Sequence, residues 1–135
     1  MEDVSAGSAH NRTYTPISLR ATRASSIVPE SEKALEDRLR REVESRGGKA
    51  VKLTSQLHRG LPDRLILMQG GLAFFVEVKT TGKRPTKLQQ AVHRDLRTLG
   101  FQVFVVDSTA SLEKAVALID RAVIAQRILK EELGL

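Results

Sequence analysis

Three residues in this sequence have the types and spacing to do chemistry together: Asp63, in the run Gly-Leu-Pro-Asp-Arg at 60–64, and Glu77 and Lys79, in Phe-Val-Glu-Val-Lys at 75–79. Side chains along a strand alternate faces, so Phe75, Glu77 and Lys79 share one side while Phe74, Val76 and Val78 take the other. If Gln69-Gly70-Gly71 is a three-residue hairpin loop, Met68 pairs with Leu72 and Asp63 falls directly opposite Glu77 on the same face. A two-residue turn would shift the register by one and separate them. Two carboxylates about 5 Å apart repel unless something positive lies between them. A divalent cation with oxygen ligands, Mg²⁺ or Mn²⁺, is the natural occupant, and it fills its remaining positions with water and phosphate oxygens. Lys79, one pleat further on, points at the same spot and could orient a water or stabilise charge on a phosphate. The bland alternative is that Asp63 caps a turn and Glu77 with Lys79 forms a surface ion pair.

The elements that must position these groups can be read from periodicity. The order is α-β-β-β-α-β-α, which implies an α/β fold with a mixed four-stranded sheet flanked by helices. The first helix begins near Pro29–Ser31 with Ser31 as its N-cap, carries Ala34 or Leu35, Leu39 and Val43 as a stripe, and stops at Gly47-Gly48. Strands are expected over 49–54, 62–68, 72–79 and 101–106. Pro85 suits a first helical turn, so the second helix runs from there to Leu99. The last helix spans roughly 110–132, with Leu112, Val116, Ile119, Val123 and Leu129 on one side. Residues 1–28, rich in Ser, Thr, Ala and Arg without periodicity, read as a mobile tail, which leaves 29–135 as the folded domain.

Composition narrows the class. The chain has 135 residues, enough for one domain with its own core. It lacks cysteine, which excludes disulfides and thiolate zinc sites and agrees with a cytoplasmic protein. No apolar run is long enough to span a bilayer, so no membrane partner is expected. The net charge is +6, and in residues 1–30 Arg12, Arg20 and Arg23 are balanced by Glu2, Asp3 and Glu30. The excess therefore belongs to the body, which suggests a polyanionic partner such as nucleic acid. Lys83, Arg84 and Lys87 form the densest basic cluster near the three chemical residues, and Arg59 and Lys52 could extend it. Gly82-Lys83 is not a phosphate-binding loop, since Glu77 and Arg84 stand where glycine and a hydroxyl residue are required.

The motif set Gly60-Leu61-Pro62-Asp63-Arg64, Phe75-Val76-Glu77-Val78-Lys79 and Pro85-Thr86-Lys87-Leu88-Gln89 resembles the VRR-NUC domain, a branch of the PD-(D/E)XK nuclease superfamily. The resemblance covers about residues 30–110 and implies a restriction-endonuclease-like core, α-β-β-β-α-β, here with an added C-terminal helix. It implies metal-dependent hydrolysis of DNA phosphodiester bonds, endonucleolytic more than exonucleolytic. Asp63 and Glu77 would hold Mg²⁺ or Mn²⁺ with the backbone carbonyl of Val78, and Lys79 would assist the water. A glutamate on the first helix completes the family's site; Glu32 is the first choice and Glu36, one turn later, the second. Gln89 would reach the site from the following helix. Stand-alone relatives are associated with four-way junction cleavage, so a preference for branched DNA is expected. A homodimer through the last helix would suit cutting both strands.

Three further expectations stay open. His58 precedes the Gly60-x-Pro62 turn and could touch a phosphate, though a loop histidine without function is the simpler reading. His93 lies four residues after Gln89, on the same helical face, and either supports Gln89 or packs on the sheet. The competing function is a non-catalytic nucleic-acid-binding module on the same fold. The basic charge suits both, and the intact carboxylate–lysine set favours the enzyme.

Overall fold

The computed structural model describes residues 30–135; the N-terminal tail expected over 1–28 lies outside them. The elements run α1 (Glu32–Ser45), β1 (Lys49–Lys52), β2 (Arg64–Met68), β3 (Leu72–Val78), α2 (Lys87–Thr98), β4 (Gln102–Val106) and α3 (Thr109–Leu133). The strands form one sheet in the order β1-β2-β3-β4. The first two pairings are antiparallel and β3–β4 is parallel, with α2 making the crossover. The sheet is therefore mixed and four-stranded, as the sequence implied.

Strand alternation divides the sheet into two unlike faces. Ile66, Met68, Phe74, Val76, Val78 and Val106 point to one side and bury against Leu35, Leu39 and Val43 of α1 and Leu112, Ala115, Val116 and Ile119 of α3. Phe74 and Phe104 stack within this layer at 6.3 Å. The opposite face carries Leu65, Phe75, Glu77 and Val103 beneath α2, where Phe75 meets Phe101 edge-on at 5.4 Å. This second face is the one that holds the chemistry.

The β2–β3 hairpin fixes the register. Met68 pairs with Leu72 and Arg64 with Val76 around the three-residue loop Gln69-Gly70-Gly71. Both glycines take positive φ, 82° and 74°, a conformation other residues adopt at a cost. Gln126 of α3 donates from Nε2 to the Gly70 carbonyl at 2.6 Å and ties the loop to the long helix.

Helix ends depart from expectation by a residue or two, with local causes. Ser31 is the α1 N-cap, accepting from the Ala34 N–H at 3.1 Å. For α2 the cap is Thr86, so Pro85 precedes the helix instead of opening it. A capping box decides this: Thr86 Oγ1 accepts from the Gln89 N–H, and the Gln89 side chain accepts from the Thr86 N–H. The expected stripe of α3 holds through Ile119, but Leu129 is 55% exposed. A 25-residue helix is about 37 Å long and outruns strands of at most seven residues, so past Gln126 the side chains of Ile128, Leu129 and Leu133 are about half exposed or more.

Candidate active site

The site forms where β2 begins and β3 ends. β2 begins its ladder at Arg64, because Pro62 has no N–H to donate and Asp63 turns its side chain to a different partner. The Asp63 carbonyl accepts from the Leu53 N–H at 2.8 Å, which continues the β1–β2 register one step past the strand ends. Its carboxylate Oδ2 accepts from the Val78 N–H at 2.9 Å. Asp63 is thus fixed by backbone on both sides.

Val78 and Lys79 present their backbone groups to opposite edges of β3, as successive strand residues do. The Lys79 N–H donates to the Val106 carbonyl of β4 at 2.9 Å, and the Val78 N–H goes to Asp63 on the β2 side. The Val78 carbonyl, which follows its own N–H in direction, consequently faces the Asp63 edge.

Glu77 is the centre of the arrangement and is only 1% exposed. Its Oε1 lies 3.1 Å from Lys79 Nζ and accepts from Gln89 Nε2 at 2.9 Å. Among the described residues its buried Oε2 has no hydrogen-bond partner, and His93 Nε2, equally buried and equally unpartnered there, stands 3.9 Å away. Burial pushes the Glu77 carboxyl up to about 7, helped by the charge of Asp63 beside it, while Lys79 pulls the other way. Burial likewise depresses the His93 imidazole, with the positive charges of Arg97 and Lys79 adding to it and Asp63 opposing, which favours the neutral ring. A glutamate buried at such expense, in contact with a second carboxylate, is an arrangement that structural ion pairing alone does not require.

The other expected residues divide into two groups. Glu32 Oε1 accepts from the Thr80 N–H at 3.3 Å and from its hydroxyl at 3.4 Å, directly after Lys79. Glu36 pairs with Arg64 Nη2 at 3.0 Å on the α1 side of the sheet. Among the described residues no three His, Cys, Asp or Glu side chains converge as a metal-binding group, so neither helix glutamate completes one with Asp63 and Glu77 as the side chains stand. His58 and Arg59 are exposed in the loop before Pro62, and Lys83, Arg84 and Lys87 are exposed in and after the loop that follows Thr81. The two basic segments adjoin the carboxylates at the Asp63 end and the Lys79 end respectively. The concavity between α1 and α3, about 210 Å³, shares no residue with this site.

His93 packs on the sheet, one of the two readings of its spacing; its place against Glu77 and the Arg64–Glu36 pair were not anticipated. The first left a trace in the spacing, since Gln89 and His93 occupy one face of α2. The second left none, because it joins residues 28 positions apart.

A four-stranded mixed sheet with a carboxylate pair and a lysine at the end of its central hairpin defines a restriction-endonuclease-like domain. No family model matches the chain. It shares 44% identity over 77 residues with "Putative nuclease p44" of Acyrthosiphon pisum secondary endosymbiont phage 1, a span of 57% of this chain and 83% of that protein. A solved structure described as "VRR_NUC domain" superposes with a TM-score of 0.61 at 31% identity, covering 64% of this chain and 94% of that one. The chain belongs to the VRR-NUC family of nucleases.

Proposed function

We propose that this protein is a divalent-metal-dependent nuclease that hydrolyses DNA phosphodiester bonds, with 29–135 as its nuclease domain. One observation carries the reading: Glu77 is buried beside Asp63, keeps an oxygen without a partner among the described residues, and has its carboxyl pushed up to about 7 by burial. A doubly charged cation offsets the cost of that burial, and hard oxygen donors suit Mg²⁺ or Mn²⁺. Asp63, Glu77 and the Val78 carbonyl would hold the ion, with Glu32 joining by leaving Thr80. The bound ion would lower the pKa of water and polarise the phosphate.

The chain's own groups do the rest. Gln89 fixes the Glu77 carboxylate through Oε1. Lys79, 17% exposed in its side chain, is close enough to Glu77 to be oriented and open enough to reach a water or a phosphate oxygen. Lys83, Arg84, Lys87 and Arg59, with His58 beside it, flank the site with positive charge that would position the backbone without reading bases. The single compact body offers little surface for groove readout, which supports selectivity for structure, with branched or four-way junction DNA as the expected target. Ile124, Ile128 and Leu129 are about half exposed on the projecting part of α3, which supports a homodimer that would supply a second site.

The test uses end-labelled four-way junction, splayed arm, linear duplex and single strand, each with Mg²⁺, Mn²⁺ or EDTA, beside the Lys79→Ala protein. Metal-dependent cutting that disappears in the variant is expected, fastest on the branched substrates. Binding without cutting on every substrate would replace the enzyme with a non-catalytic nucleic-acid-binding module.

A further inference from the structure

Glu77 is held at one oxygen only. Oε1 receives Gln89 Nε2 and lies against Lys79 Nζ, whereas among the described residues Oε2 receives nothing. Facing Oε2 at 3.9 Å is His93 Nε2, itself without a partner, on a side chain 2% exposed. Native interiors rarely keep two complementary polar atoms buried and unpaired side by side. The gap exceeds a hydrogen bond by about 1 Å, a distance that a small settling of α2 or a rotation of the carboxylate covers. Gln89 and His93 are four residues apart on α2, so one rigid helix face presents both donors to both oxygens.

We propose that His93 is a positioning residue for Glu77: its Nε2–H donates to Oε2 in the working site and, with Gln89 on Oε1, clamps the carboxylate at both ends. This deepens the function proposed above and rests on it. A carboxylate oxygen has two lone-pair directions, so Oε2 can accept from His93 and still face a cation. Hydrogen bonds to ligating carboxylates are the usual way a metal site fixes its ligands. The clamp requires the tautomer protonated on Nε2, with Nδ1 bare. A neutral donor is suited to the task because it orients the charge of Glu77 without cancelling it.

The test begins with the metal-free, full-length protein. Long-range proton–nitrogen NMR of the imidazole is expected to show Nε2 protonated; a proton on Nδ1 with Nε2 bare would overturn the proposal. Mn²⁺ binding is then measured by calorimetry without nucleic acid for His93→Leu, which keeps bulk and loses the donor, and His93→Gln, which restores a donor near the Nε2 position. Leucine is expected to weaken binding about tenfold or more, and glutamine to recover most of it. Equal losses in both variants would make His93 a packing residue. If His93→Leu does not fold, the tautomer and the glutamine variant decide. Asp63→Asn runs in parallel: if it binds Mn²⁺ like the unaltered protein, the two-carboxylate site fails and the tautomer alone judges His93. If Asp63→Asn loses the ion while His93→Leu keeps it, only the clamp is wrong.

Discussion

Gln89 donates from Nε2 to Glu77 Oε1 at 2.9 Å while its own Oε1 accepts from the Thr86 N–H at 2.9 Å, so one side chain starts α2 and aims the buried carboxylate. The two duties can be separated. Gln89→Glu keeps a good capping-box residue at this position but sets a third carboxylate against Glu77 and Asp63. We expect it to keep the helix start while repulsion from Glu77 lowers the stability of the metal-free protein, and to cut turnover at least about tenfold. Gln89→Ala should cost about 1 kcal/mol of stability and a similar share of turnover. Full activity in Gln89→Glu, measured on the preferred substrate at saturating Mg²⁺, would remove Gln89 from the site.

Gly48 takes an ordinary backbone conformation, so its importance is spatial. A Cβ there would clash with the Met68 sulfur and come within 2.8 Å of the Leu67 carbonyl and 3.0 Å of Val43, between α1 and the start of the sheet. The carbonyl belongs to the β1–β2 ladder and cannot swing aside. Gly48→Ala should therefore destabilise by about 1–3 kcal/mol through overpacking, read as a lower denaturation midpoint with unchanged slope. Gly82→Ala, where a Cβ meets nothing but φ is 84°, should cost less and for a different reason.

The hairpin shows why much of this site was legible from sequence. Once a three-residue Gly-Gly loop sets Met68 opposite Leu72, strand periodicity alone carries Asp63 toward Glu77, and the observed register agrees at every pair. Local rules also placed Ser31 as a cap and Leu39 and Val43 on the buried stripe, and packing decides for Leu35 over Ala34 at its first position. What periodicity cannot supply is depth. Glu77 and His93 are polar residues on faces that read as mixed, and only the packing of α2 on β4, with Gln89 and His93 reaching Glu77 of β3, buries them together. The same limit explains Leu129: its spacing fits the core stripe, but no strand extends beneath it. The start of α2 was misplaced because Pro85 and Thr86 are both good opening residues, and the reciprocal bonds of Thr86 with Gln89 decide between them.

The basic segment after Thr81 separates phosphate contact from plain solubility charge. If Lys83, Arg84 and Lys87 each neutralise a DNA phosphate, the logarithm of affinity falls against the logarithm of salt with a slope of about 0.9 per contact. Replacing all three with alanine should flatten that slope by about 2–3 and weaken all substrates alike. Fluorescence anisotropy across a NaCl series, with EDTA present to prevent cutting, makes the measurement. An unchanged slope would assign the three charges to solvent.

Glu77 should leave a signature on folding as well as on catalysis. An acid whose pKa rises from 4.5 to about 7 on folding binds more protons folded than unfolded. Its contribution is therefore neutral below about 4.5 and becomes a growing penalty as pH climbs to about 7, on the order of 3 kcal/mol when fully charged. The metal-free protein should lose stability across that window, and Glu77→Gln should abolish the loss while abolishing cleavage. Mn²⁺ must displace the proton to bind, so its affinity should strengthen by up to about tenfold per pH unit below 7 and level off above it. Urea unfolding at pH 4.5, 6 and 8, with and without Mn²⁺, reads both effects. A flat stability profile in the metal-free protein, matched by Glu77→Gln, would mean that Glu77 is ordinarily charged in the folded protein.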